Sequence, residues 1–201
     1  MVRVSMWLCG GVLACLGAMT PLVAGQGRDA ERPELSADHR LEFPAGYRQW
    51  TFLSAGLGMS YGPNATPPGR PEPFTNVYVN PSAYREFLVT GRWPDQTTFV
   101  LEIRNSASEG SINRRGHYQT DLRAIEVNRK DARLPGGWGF YNFGRSTEAS
   151  APLPQTAGCY SCHATNTAVE HTFVQFYPEL MAVARRLGTV KPDYQDAAAP
   201  H

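Results

Sequence analysis

Five consecutive residues, Cys159-Tyr160-Ser161-Cys162-His163, spell C-x-x-C-H. Two thiols at this spacing can add as thioethers across the two vinyl groups of a haem, and the histidine that follows can turn its imidazole onto the iron. A chain of this length and composition would spell the motif by chance only roughly twice in a thousand. Two other uses of the same residues stay open. A zinc site would draw on His163 and His171 beside the cysteine pair, without the usual second pair. A thioredoxin-like dithiol would need a βαβ context, which the residues around 158–167 do not suggest. The leading expectation is one covalent c-type haem, attached through Cys159 and Cys162, with His163 as the iron ligand.

The N-terminus fits assembly of such a group outside the cytoplasmic membrane. Arg3 gives a short positive start, the stretch from Val4 to Val23 carries no charge, and Val23-Ala24-Gly25 offers small residues before a cut. Residues 1–25 therefore read as a signal peptide and the periplasm as the destination. Pro21, Gly10, Gly11 and Gly17 argue against a spanning helix. The alternative is a membrane anchor, through an uncleaved N-terminus or a lipid at Cys15. Cleavage would remove Cys9 and Cys15, leaving only Cys159 and Cys162 and no spare thiol for a disulfide. Without Arg3, the basic residues equal the 18 acidic ones. That balance leaves no electrostatic footprint for nucleic acid or anionic lipid.

The elements that must position the motif read as an α+β domain, mainly antiparallel sheet with a few helices and a C-terminal haem segment. Residues 26–40 form a polar, mobile lead-in, 41–188 the haem domain, and 189–201 a disordered tail. Strands are expected over 47–59, 74–79, 97–104, 116–128 and 138–143, with a broken Pro/Gly loop over 62–73. Asn80-Pro81 starts a helix that Gly91 ends, and a second helix runs from Pro178 to Leu187 before Gly188. In the third strand Phe99, Leu101 and Ile103 share one face, with Thr98, Glu102 and Arg104 opposite; Val100 breaks the alternation. Glu126 would share a face with Leu122 and Ala124, where desolvation would raise its pKa toward general-base values. An ordinary surface ion pair with an arginine is the competing role for Glu126.

In small electron-transfer cytochromes the haem motif lies near the start, with a methionine ligand far downstream. Here only 38 residues follow His163. Met181 has the spacing of a core residue on its helix, and Met59 is the other methionine beyond the signal. His39, His117 and His201 read as solvated, and His171 as locally engaged. The expectation is a five-coordinate iron with an open face able to bind small ligands.

The stretches Tyr47-Arg48-Gln49-Trp50, Val77-Tyr78-Val79-Asn80-Pro81, Thr90-Gly91 with Asp95, Gly137-Trp138-Gly139-Phe140, the haem motif and Phe173-Val174-Gln175-Phe176-Tyr177-Pro178 together resemble the cytochrome P-460 family, which includes the cytochromes c′-beta. The resemblance covers roughly residues 41–187. It implies a mainly β, homodimeric, periplasmic monohaem cytochrome with His163 as proximal ligand. It also implies one of two activities: hydroxylamine oxidation on a haem cross-linked to a lysine, or nitric oxide binding without that bond. The lysine position aligns with Leu101, and the chain's two lysines, Lys130 and Lys191, read as solvated in a turn and in the tail. Glu126 aligns with the distal carboxylate that handles protons in hydroxylamine-oxidising relatives. The distal arginine of those relatives aligns with Thr75 or Asn76. Phe99, Leu101 and Glu126 are thus candidates for the distal wall, with Glu126 the candidate catalytic residue. The favoured function is binding of nitric oxide or a related small nitrogen-oxide ligand. The alternatives are a hydroxylamine or nitric oxide oxidoreductase passing electrons to a partner cytochrome, and plain electron transfer through a methionine-ligated iron.

Overall fold

The computed structural model describes residues 31–59 and 71–195. The signal peptide, the first part of the lead-in, most of the Pro/Gly loop and the last six residues lie outside them. No helix among the described residues is long and apolar enough to cross a membrane.

Five strands form one antiparallel sheet in sequence order: β1 (Thr51–Leu57), β2 (Phe74–Val79), β3 (Thr98–Ala107), β4 (Tyr118–Lys130) and β5 (Trp138–Gly144). Helix α1 (Pro81–Thr90) joins β2 to β3, while α2 (Gly158–Asn166) and α3 (Pro178–Leu187) follow the sheet. The fold is α+β, as the sequence implies.

Proline and glycine set the helix ends. Pro81 and Pro178 open α1 and α3, where a missing N–H costs nothing. Gly91 and Gly188 close them in left-handed conformations, with φ of 67° and 66°. Asn80 holds the N-cap position, yet its Oδ1 accepts the Thr98 N–H at 2.8 Å and so ties α1 to β3.

Both faces of the sheet are covered, which explains why Val100 breaks the alternation. One face packs Val79, Phe99, Trp138 and Phe140 against α1, α3 and the segment around Val174. The other packs Val100, Ile125, Val127 and Tyr141 against Leu35, Leu41, Tyr47 and Trp50. Glu102, on the face opposite Phe99 and Leu101 as the alternation implies, is therefore buried. It accepts hydrogen bonds from the Tyr47 hydroxyl, Arg48 Nη2 (2.7 Å), Arg104 Nη1 (3.2 Å) and Asn76 Nδ2 (3.3 Å). Burial pushes the Glu102 carboxyl up, but the bonds from Tyr47 and Arg48 outweigh it and hold the group below its ordinary range.

Three local expectations need correction. The first strand begins at Thr51, because Tyr47–Gln49 form a 3-10 turn that drops the Tyr47 ring into the core. Leu122 does not share the face of Glu126. The β3–β4 register shifts between Ile103 and Arg104, so Leu122 turns to the opposite cluster. The flanks are also better packed than their polar composition suggests. Leu35 is buried and bridges Leu41, and Tyr194 packs against the helix-side core.

Candidate haem site

Helix α2 carries the C-x-x-C-H motif. Nothing in its sequence announces a helix: no side chain caps its start, and it has no buried apolar stripe. The motif's own spacing is the missed signal, since positions i, i+3 and i+4 fall on one helical face. Cys159, Cys162 and His163 accordingly line the same cleft, of about 240 Å³, between α2 and the sheet. Both thiols are free.

His163 is held from three sides. Its ring centroid lies 4.5 Å from that of Phe140 and 4.6 Å from that of Phe173. Its Nδ1 is 2.8 Å from the His171 carbonyl oxygen. A carbonyl can only accept, so Nδ1 carries the proton and Nε2 keeps its lone pair. Burial lowers the imidazole pKa, against the pull of the His171 carbonyl, and so favours the neutral form an iron ligand requires. His171 acts through its backbone; its own ring lies against Trp138, with centroids 5.8 Å apart.

The sheet supplies the facing wall. Val77, Leu101 and Glu126 lie side by side on β2, β3 and β4, because Leu101 pairs with both neighbours in register. Phe99 and Asn128 form the next row, and all five residues line the cleft. All three expected distal residues, Phe99, Leu101 and Glu126, thus meet Cys159, Cys162 and His163 around one space. Thr75 also lines the cleft, whereas Asn76 points to the other face and bonds Glu102 and Gln119. Of the two, Thr75 is the cleft residue.

Glu126 is the wall's acidic group. Burial alone raises its pKa. Among the described residues no ion pair involves it; Arg48 and Arg104 go to Glu102, and Arg129 and Arg133 to Asp131. The surface ion pair considered for Glu126 is absent among these residues.

Sequence reasoning named Met59 only as an alternative iron ligand and missed Phe173, Phe176 and Tyr177 as members of the site. Met59 lines the cleft beside Gly56 and Thr75, where a Cβ on Gly56 would stand 2.2 Å from the Met59 sulfur. Phe173, Phe176 and Tyr177 close the helix side. Met181 is buried in the core, 5% exposed, and is not a cleft residue. The lysines also differ from expectation. Lys130 ends β4 and bonds the Trp93 carbonyl (2.6 Å) and Glu170 (2.7 Å). Lys191 bonds the Ala164 carbonyl at 2.8 Å and Thr167 Oγ1 at 3.2 Å. Lys191 braces the C-terminal end of α2 and Lys130 the turn that follows it, and neither lines the cleft.

A family model, Cytochrome P460, matches residues 44–174, from the start of the domain through the haem motif. The chain belongs to the cytochrome P460 family. No curated protein matches it. Cytochrome P460 membership makes this a haem-binding cytochrome, and the residues present fit the group. Two free thiols and a neutral imidazole with its Nε2 lone pair available are the donor set of a c-type haem. Among the described residues no three of His, Cys, Asp and Glu converge as a zinc ion would require.

Proposed function

We propose that this cytochrome P460 is an exported, homodimeric monohaem protein that binds nitric oxide or a related small nitrogen-oxide ligand. Cys159 and Cys162 hold the haem as thioethers, and His163 ligates the iron. Bound haem supplies an iron that can take a diatomic ligand and exchange an electron. The observation that carries the reading is the wall opposite α2. Val77, Phe99 and Leu101 present hydrocarbon to the cleft, a surface that disfavours charged ligands and admits small neutral ones. Leu101 has no amine to join to a haem, and both lysines are engaged elsewhere, which supports a haem without the lysine cross-link.

One observation favours a second reading, oxidation of hydroxylamine or nitric oxide with electrons passed to a partner cytochrome. Glu126 stands in the apolar wall with its pKa raised by burial, the condition of a general base. Plain electron transfer is left with Met59 as its methionine, because Met181 belongs to the core.

Titration of the haem-matured ferrous protein with nitric oxide separates these readings. Stoichiometric binding that Glu126→Gln leaves intact, with no hydroxylamine turnover, is the expected result. Turnover that Glu126→Gln abolishes would overturn it in favour of oxidation. A six-coordinate iron that opens on Met59→Ala would favour electron transfer.

A further inference from the structure

The turn that offers its carbonyl to His163 is tied to the end of β4 by the side chain of Lys130. Lys130, the last residue of β4, pairs across the sheet with Trp138 of β5. Its Nζ donates to the Trp93 carbonyl at 2.6 Å and to Glu170 Oε2 at 2.7 Å, and lies 5.9 Å from the Trp138 ring centroid. Glu170 is the residue immediately before His171. It sits in a turn closed by the bridge between Val169 and Thr172, with φ of 50°. A side-chain-bearing residue holds that left-handed conformation only where its surroundings impose it. Glycine would make the same turn without strain, but only glutamate's carboxylate reaches Lys130. The contacts therefore run unbroken from the end of β4 to His163: Lys130 Nζ to the Glu170 carboxylate, along one peptide to the His171 carbonyl, and from there to His163 Nδ1 at 2.8 Å.

We propose that the Lys130–Glu170 ion pair is a positioning device for the iron ligand. It keeps the His171 carbonyl on His163 Nδ1, and so sets how strongly the imidazole donates electrons through Nε2. Outer partners that accept from a ligating histidine fix its orientation and raise its basicity. The inference rests on His163 ligating haem, and it assigns to Lys130 and Glu170 a role beyond bracing the fold.

The test uses the haem-matured full chain, with two readouts: the ferrous iron–histidine stretching band in resonance Raman spectra, and the reduction potential. Lys130→Met and Glu170→Ala should each lower the stretching frequency. Each should also raise the potential, because a weaker donor stabilises ferric iron less. Lys130→Arg, which can still pair with Glu170, should restore wild-type values. Glu170→Gln, which keeps the side chain's size and removes its charge, carries the same test if Lys130→Met does not accumulate. A normal wild-type band that none of these substitutions moves overturns the positioning role. A wild-type protein lacking any iron–histidine band overturns the haem reading itself, so the two failures are told apart.

Discussion

Thr172 offers a sharp test of how the haem-side segment is held. Its hydroxyl accepts the Trp93 indole N–H at 2.8 Å and donates to the Val169 carbonyl at 2.8 Å, and Trp93 and Thr172 are 2% and 3% exposed. Thr172→Val keeps the shape and removes both bonds. The Val169 carbonyl still has the Thr172 backbone N–H at 2.9 Å, so the group left without a partner is the buried indole N–H. An orphaned buried donor costs about 1–3 kcal/mol, which puts the expected loss near 2 kcal/mol. For a chain of this size that is a fall in melting temperature of about 4–8 °C. Thr172→Ser keeps both bonds and loses one methyl, and should lose less than half as much. Thermal unfolding of the three proteins gives the order wild type, Thr172→Ser, Thr172→Val. A Thr172→Val protein that melts with the wild type would refute the reasoning, because it would mean the indole N–H is not committed to Thr172.

Glu126 has a folded pKa raised above its ordinary value of 4.5, so the folded state keeps a proton that the unfolded chain has released. Stability should then fall as pH rises through the window between those two values. Denaturant midpoints should show Glu126→Gln more stable than wild type at neutral pH, with the gap closing below about pH 4. Glu102 behaves oppositely. Its folded pKa is lowered, so its contribution is full above 4.5 and is lost as pH falls through the folded value. Glu102→Gln should cost ~2 kcal/mol at neutral pH, since charge-assisted bonds are weakened, and progressively less in acid. Met181→Ala should cost ~2–5 kcal/mol in urea unfolding while leaving the haem absorption spectrum unchanged; a changed spectrum would restore Met181 as a ligand.

Legibility in the sequence followed the strength of local signals. Helices α1 and α3 are bounded by Pro81 and Gly91 and by Pro178 and Gly188, where backbone chemistry alone marks the ends. β2 matched its expected limits because a short aliphatic and aromatic run is flanked by Pro73 and the Asn80-Pro81 step. α2 escaped notice because its residues face a cleft instead of a packed core, so no apolar period marks them. The face of Glu102 was legible but its burial was not, because period-two alternation says which residues share a face but not whether that face is covered. Leu122 was misplaced because a register shift flips every residue beyond it, and Arg123 carries no mark of a bulge. Within the site, Cys159, Cys162 and His163 were legible from spacing, and Phe99, Leu101 and Glu126 from the family resemblance. The roles of the His171 carbonyl, Lys130 and Lys191 depend on contacts made after the chain folds back on itself, which composition and period do not encode.

The absorption spectrum of the ferrous protein, matured in a host that attaches c-type haem, tests the central claim most directly. The expected result is the spectrum of an ordinary c-type haem, high-spin and five-coordinate, that responds to nitric oxide. A strongly red-shifted Soret band would contradict it by indicating a cross-linked haem, and a low-spin six-coordinate spectrum would contradict the open site.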